Sequence, residues 1–314
     1  MQVLVDYLTM TSKIHNERQF LEMLGVQDCS FLEMPGRYGW QNRLYYRGIS
    51  VLWGGSRDDV CLELSGTGCR TVEELSNNTF DWFGWLSGFE VDIRTRDVNV
   101  SRLDIAGDDR EGVLHYRRMV QHCRRRWYIC KARYCMWTDG AEQAIYFGAP
   151  ASDRRLRIYN KALEQGIQAH WIRVEMQMRN KNAVSFLLNW FKRKDIGGCY
   201  SAVLRDFLRF TVSAIADCNY SRADIASWWD VFLGQLGQCP QLYVEGGVYS
   251  LWHVQRFLER QAASSLRLLL EANNGDWEDI IAMVEHATLN SRQQHLLDRI
   301  LASGKGEAVF NGGS

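Results

Sequence analysis

A chain of 314 residues with 46% apolar side chains holds enough material to bury one large core or two ordinary ones. Its 37 Lys and Arg balance 37 Asp and Glu, so no global field draws it to nucleic acid and any electrostatic argument must be local. No window reaches the roughly 18 apolar residues of a membrane span, and Asp6 interrupts the first apolar run where a signal peptide needs continuity, so a soluble cytoplasmic protein is expected.

In chain order, short runs bounded by Gly, Asn, Asp or Ser predict strands: "VLVDYLTMT", "GISVLWGG", "VCLELSG", "VSRLDIAGD", "AIYFGA", "LRIYNK" and "WIRVEMQMR". Between them "NERQFLEMLG" and "GVLHYRRMVQHCRRRW" have helical spacing, the second with Leu114, Met119 and Val120 toward a core. From about residue 183 long helical periods take over, from "AVSFLLNWFKRK" and "YSAVLRDFLRFTVSAIA" through "DIASWWDVFLGQL" and "SLWHVQRFLERQAASSLRLLLEAN" to "SRQQHLLDRILAS". Ser221 with Asp224, and Ser291, are N-cap candidates. The expected class is α+β: an antiparallel-sheet domain over 1–182, a helical region over 183–304 and a Gly-rich tail over 305–314. "VDYLTMT" followed later by "LELSG" faintly echoes "LDIAGD" followed by "VEMQM", which makes an internal duplication one reading of the first part.

Side chains alternate along a strand, so each run can be split into two faces. In "SRLDIAGD", Arg102, Asp104, Ala106 and Asp108 oppose Leu103 and Ile105; in "WIRVEMQMR", Arg173, Glu175, Gln177 and Arg179 oppose Ile172, Val174, Met176 and Met178. Glu63 falls with Cys61 and Ser65, and in "RLRIYNK" Arg157, Tyr159 and Lys161 share a face opposite Leu156 and Ile158. A solvated sheet face also carries alternating charge. If these strands are neighbours, however, Glu63, Asp104, Asp108 and Glu175 repel one another unless a cation neutralises them, and an all-oxygen set suits Mg or Mn. A tyrosine beside such carboxylates has a demanding use: its phenolate can attack a phosphodiester and form a phosphotyrosine. Cations such as Arg157 and Lys161 favour the phenolate. Tyr146 is the rival nucleophile, with no cation on its own strand face.

Residues 112–138 contain Arg117, Arg118, Arg124, Arg125, Arg126, Lys131 and Arg133 without Asp or Glu, and Trp127, Tyr128 and Tyr134 interleave with them. That suits phosphate-backbone binding with base stacking, and equally a solvated helix face with core aromatics. Nine cysteines without a CxxC pair suit reduced thiols; His122, Cys123, Cys130 and Cys135 lie close but fit no common zinc spacing.

Four ordered segments, "LELSGTGCR" (62–70), "RLDIAGDD" (102–109), "IYFGAPASDRRLRIYNKALEQG" (145–166) and "WIRVEMQMR" (171–179), resemble the successive motifs of the Rep_trans replication initiation factors. The resemblance covers about residues 3–190, and the helical tail with "SWWDVFL" is similar to phage-type members. It implies rolling-circle replication of a plasmid or small phage in a bacterial cytoplasm: a site-specific nick in origin DNA, single-stranded or in a hairpin, a 5′-phosphotyrosine link, a free 3′-hydroxyl primer and later rejoining. Carried over, Tyr159 is the nucleophile with Arg157 and Lys161 beside it; Asp104, Asp108, Glu175 and Glu63 are metal ligands; Arg70 is a phosphate contact and the "SGTGCR" glycines form a tight turn. A host helicase and polymerase, and a homodimer, are partners that the family implies. Ala149 departs from the family's Ser after "YFG", which puts one hydrogen bond in doubt. No His-x-His pair exists, which leaves carboxylates as the metal set. A relaxase of a mobile element with the same chemistry, a non-catalytic DNA-binding regulator and a hydrolytic nuclease using water are the alternatives.

Overall fold

The computed structural model describes residues 1–140, 142–213, 223–234, 258, 263–289 and 291–302. Two compact units divide at Val244/Glu245. The first opens with β1 (Gln2–Ser12), α1 (Glu17–Leu24), β2 (Leu32–Pro35), β3 (Asn42–Tyr46), β4 (Ile49–Trp53), β5 (Val60–Leu64), α2 (Gly66–Leu75), α3 (Trp82–Ser87) and α4 (Glu90–Thr95). It continues with β6 (Val98–Asp109), α5 (Tyr116–Arg125), β7 (Tyr128–Cys130), β8 (Cys135–Asp139), β9 (Gln143–Phe147), β10 (Arg154–Asn160), α6 (Lys161–Glu164) and β11 (Ile172–Arg179). It closes with α7 (Lys181–Arg193), α8 (Ile196–Phe207), β12 (Leu208–Phe210) and α9 (Ser227–Leu233). In the second unit the described helices are α10 (Ala263–Ala272), α11 (Glu278–Glu285) and α12 (Ser291–Ala302).

Ten strands make one antiparallel sheet in the order β2-β3-β4-β5-β1-β6-β11-β10-β9-β8. The order is symmetric in chain terms. β1 sits at the centre beside β5, β4, β3 and β2, and β6 sits against it beside β11, β10, β9 and β8. In each half the first strand therefore pairs with the last. One face is apolar: Leu8 and Met10 of β1, Leu103 and Ile105 of β6, Val174 and Met176 of β11 and Leu156 and Ile158 of β10 are all 0% exposed. α7 packs on β6 and β11, and α4 on β6. From α8, the buried Tyr200 hydroxyl donates to the Val174 carbonyl at 2.6 Å. Its ring fills the space left by Gly107, where a Cβ would meet Tyr200 Cε1 at 3.0 Å.

Local chemistry sets the element ends as the sequence suggests. α1 starts with a capping box between Asn16 and Gln19 and stops at Gly25 in the left-handed region, at φ 68°. The "SGTGCR" glycines are a correction, because they form no tight turn: Ser65 caps α2, and Gly66 and Gly68 lie in its first helical residues. Gly68 is required by close approach, since a Cβ there would sit 2.3 Å from the Gly48 carbonyl oxygen in the β3–β4 turn.

The expected boundary at 182/183 falls at the start of α7, and α7 and α8 belong with the sheet in the first unit. "YSAVLRDFLRF" is not all helix, because after Phe207 the chain turns extended and β12 pairs with β7. Asp224 precedes the bridge Thr211–Ile225 rather than a helix, while Ser221, most of "SLWHVQRFLERQAA" and the tail from 303 lie outside the described residues. Among the described residues, no helix is long and apolar enough to cross a membrane.

The Gly48–Gly68 contact yields a direct test. Gly68→Ala is expected to cost about 1–3 kcal/mol in urea unfolding by overpacking backbone against backbone. Gly66→Ala, whose added Cβ comes no nearer than 3.3 Å to the Asp6 carbonyl oxygen, costs less.

Candidate active site on the polar sheet face

The opposite face of the central strands carries the charge. Across neighbouring strands the register aligns Asp108 with Arg173 and Tyr159, Ala106 with Glu175, Arg157 and Tyr146, and Tyr7 with Asp104, Gln177 and Arg155. Residues far apart in sequence thereby become cross-strand neighbours, at separations of roughly 5 Å.

Arg173 is the hub. Its Nε and Nη2 donate to the two Asp108 carboxylate oxygens at 2.7 and 2.8 Å, and its Nη1 donates to Asp6 Oδ1 at 2.8 Å. Arg173 is 6% and Asp108 2% exposed, so this pairing is desolvated. Sequence reading missed Asp6 as a site residue. Strict alternation back from Leu8 puts it on the apolar side, but the β1–β6 register shifts between Val5 and Tyr7. A bulge there re-aims one side chain.

Asp104, 1% exposed, is held by Arg102 through Nε at 3.0 and 3.1 Å and Nη2 at 2.5 Å, while the Arg102 guanidinium lies 3.8 Å from the Tyr7 ring centroid. Glu175 makes no hydrogen bond or ion pair among the described residues and lines a cavity of about 220 Å³ with Arg102, Tyr146, Arg155, Arg157 and Gln177. Burial first, then the charges of Asp6 and Asp104, push the Glu175 carboxyl up to about 7. Burial, only partly opposed by Arg102, raises Asp104 to about 6. Glu63 stands apart on β5, opposite Thr9, and is paired with Arg37.

Tyr159 is 3% exposed, with the Arg157 guanidinium 3.9 Å and Lys161 Nζ 5.6 Å from its ring centroid. Lys161 is turned to Glu164, and Arg157 reaches Glu142 at 3.5 Å and Glu164 at 3.7 Å. Burial and then the Glu175 carboxylate raise the Tyr159 phenol well above its ordinary value. The expectation that no cation serves Tyr146 is corrected: Arg155 and Arg157 of the adjacent strand lie 4.6 and 5.9 Å from its ring centroid, and its hydroxyl donates to Glu142 at 3.0 Å. Alternation along one strand does not see the strand beside it.

Residues 98–284 match the Replication initiation factor family, Rep_trans, and residues 2–88 match the Rolling Circle replication initiation protein N-terminal domain. The first match spans more than half of the chain. The chain belongs to the replication initiation factor family. It is also similar in fold to the rolling circle replication initiator protein from Geobacillus stearothermophilus, with a TM-score of 0.66 and 24% identity over 75% of this chain and 96% of that one. No curated protein matches it.

In this chain the basic segment does not form a uniform face. Arg117, Arg124, Arg125, Arg126, Lys131 and Arg133 are exposed, but Arg124 meets Asp139 at 3.7 Å and Lys131 pairs with Asp206. Arg118 donates to the Val113 carbonyl at 3.1 Å, with its guanidinium 5.2 Å from the Trp228 ring. Trp127 lies under Arg125 at 4.7 Å and Tyr128 packs on Phe147, whereas Tyr134 is exposed. Arg70 donates to the Val5 carbonyl and pairs with Glu73 at 2.8 Å.

Of the four expected metal ligands, Asp108 has both oxygens on Arg173 and Glu63 is paired with Arg37. Among the described residues, no group of three or more His, Cys, Asp or Glu is placed to hold a metal ion. What fits a divalent cation is narrower. Asp6 and Asp104 raise the proton affinity of Glu175, and Asp6 also raises that of Asp104, and Mg needs only one or two carboxylates because it keeps its waters.

Two outcomes are expected. Arg173→Ala strands the buried Asp108 and partly buried Asp6 carboxylates and should cost about 3–5 kcal/mol in urea unfolding, with Arg173→Lys restoring only part because an ammonium lacks the planar fork. Glu175 and Asp104 keep protons in the fold to about 7 and 6, against about 4 when unfolded. Their contribution to stability is complete below about pH 4 and is lost as pH rises through those folded values. In chelator, the melting temperature should fall between about pH 5 and pH 8, and Glu175→Gln should flatten that fall.

Proposed function

We propose that the chain starts rolling-circle replication by cutting one strand of origin DNA with Tyr159. The phenolic oxygen attacks the scissile phosphorus, the bond to the 3′ oxygen breaks, and the strand is left with a 5′-phosphotyrosine and a 3′-hydroxyl primer. The reverse attack rejoins ends. A host helicase would open the duplex ahead and a host polymerase would extend the primer.

The observation that carries this reading is the row Asp108–Arg173–Tyr159. It sets a phenol beside a guanidinium on the one polar face where Glu175, Asp104 and Asp6 also meet. Arg157 covers the ring, and among the described residues its ion pairs are long contacts to Glu142 and Glu164. A DNA phosphate that accepts a close bidentate fork would compete for that guanidinium better than carboxylates held at 3.5 and 3.7 Å. Binding would therefore draw Arg157 onto the backbone and uncover the phenol.

Mg or Mn would be held by Glu175 and Asp104, with Asp6 in reach. When bound, it supplies charge for the scissile phosphate and its transition state. This chain's residues explain why such a charge matters to the nucleophile. Glu175 is the largest charged influence holding the Tyr159 phenol protonated, so neutralising that carboxylate favours the phenolate. The reading also takes the two halves of the sheet as copies of one unit, supported by their matching strand order.

Tyr146 is the second reading, favoured by its place on the cavity wall between Arg155 and Arg157. Mass spectrometry of the adduct with labelled origin single strand and Mn separates the two. The expected result is a Tyr159 peptide bound to DNA, lost in Tyr159→Phe, kept in Tyr146→Phe and absent in chelator; an undiminished adduct in Tyr159→Phe moves the nucleophile elsewhere. Arg157→Ala should slow nicking about 100-fold to 1,000-fold, the range of one lost charge-stabilising contact.

A further inference from the structure

Three guanidiniums wall the cavity of about 220 Å³ beside Tyr159, and the acids of the sheet face serve two of them. Arg102 donates to both Asp104 oxygens, while Arg157 has Glu175 across the β10–β11 pair and Glu142 and Glu164 at 3.5 and 3.7 Å. Arg155 is the surplus cation. Among the described residues it makes no hydrogen bond or ion pair, and its Nε is a buried donor that meets no acceptor.

Its neighbours in the sheet cannot supply one. Across the β10–β11 pair Arg155 faces the neutral Gln177, and beyond that Asp104 is already committed to Arg102. The Glu175 carboxyl on the same wall belongs to the Arg157 row, two residues nearer Tyr159 along β10. The Tyr146 ring, with its centroid 4.6 Å from the Arg155 guanidinium, attracts the cation through its π face. That leaves the N–H donors, which lie in the guanidinium plane, unmet. A partly buried cation in this state is costly until an anion arrives, and a planar fork is matched by two phosphate oxygens.

Position decides which phosphate. Arg155, Arg157 and Tyr159 share one face of β10, so Arg155 is rooted roughly 7 Å beyond Arg157 and roughly 14 Å from Tyr159 along the strand. A phosphate at the phenol meets Arg157 first, whose guanidinium lies 3.9 Å from the Tyr159 ring centroid. We infer that Arg155 is a phosphate-binding residue that grips the backbone phosphate adjacent to the cut one and so sets the register of the single strand against Tyr159. This deepens the nicking reading, and rests on it only for which phosphate is cut.

The test reads binding rather than cleavage. Fluorescence anisotropy is measured with the full-length chain, labelled origin single strand and no divalent cation, and the phosphates of the strand are replaced one at a time by uncharged methylphosphonate. In the wild type, one replacement next to the nick is expected to weaken binding about 10-fold, in line with one charge-assisted contact. Arg155→Gln should weaken binding of the unmodified strand by the same factor and lose nothing further from that replacement. It should also keep the wild-type melting temperature, because the side chain has no partner to forfeit. Arg155→Lys, a point charge without the fork, should recover part of the binding and part of the sensitivity.

Losses that simply add in Arg155→Gln at every position, or coupling of Arg155 to the scissile phosphate itself, overturn the inference. So does coupling to a base, seen when an abasic residue rather than a methylphosphonate removes the Arg155 contribution. The nick position comes from the Tyr159 adduct, so the two readings fail separately. An adduct without phosphate coupling defeats the Arg155 contact alone; coupling to a single phosphate without any adduct defeats the nicking reading and leaves the contact standing.

Discussion

One guanidinium joins three strands on the charged side of the sheet. Arg173 on β11 grips Asp108 on β6 with two bonds and Asp6 on β1 with a third. β1 heads one half of the sheet and β6 with β11 the other, so this clamp ties the halves on the polar face as the apolar core ties them beneath. Arg173 and Asp108 are buried and Asp6 partly so; charges so desolvated are costly singly, and together each offsets the desolvation of the next. The row next to it, with Glu175, Arg157 and Tyr146, inherits its register from the same pairing.

The electrostatics of the site follow from an imbalance that the clamp leaves. Asp108 and Asp6 share Arg173 and Asp104 has Arg102, but Glu175 has no partner of its own among the described residues and keeps a proton near neutrality. That charge, once present, opposes ionisation of Tyr159, which burial already disfavours. In the proposed reading the resting site is thus set against Tyr159 as nucleophile, and an arriving cation and phosphate would be the charges that reverse the balance. Arg157 stands at the junction, over the phenol and on the cavity wall at once.

Much of this was legible in the chain. Alternation in "SRLDIAGD", "RLRIYNK" and "WIRVEMQMR" assigned the polar face residue by residue, because each strand keeps one side in the core and a slip of one position would expose Leu103, Ile158 or Val174. The edge strand β2 was not legible: all four of its residues are exposed, so no alternation marks it. Nor was β12, whose three residues continue an apolar helical pattern. The basic segment read as one uniform patch, yet Asp139 and Asp206, outside it in sequence, neutralise part of it in space.

By itself the sequence determined which side chains face which side of β6, β10 and β11, where α1 begins and ends, and the order of motifs that marks the family. Those depend on neighbours within a few residues. Tertiary structure alone decided the rest. The bulge that turns Asp6 from the apolar side into the clamp, the cations that β10 lends to Tyr146, the contact that requires Gly68 and the commitment of Asp108 to Arg173 all depend on which strand lies beside which. That choice is made by packing across the whole sheet, and no local pattern records it.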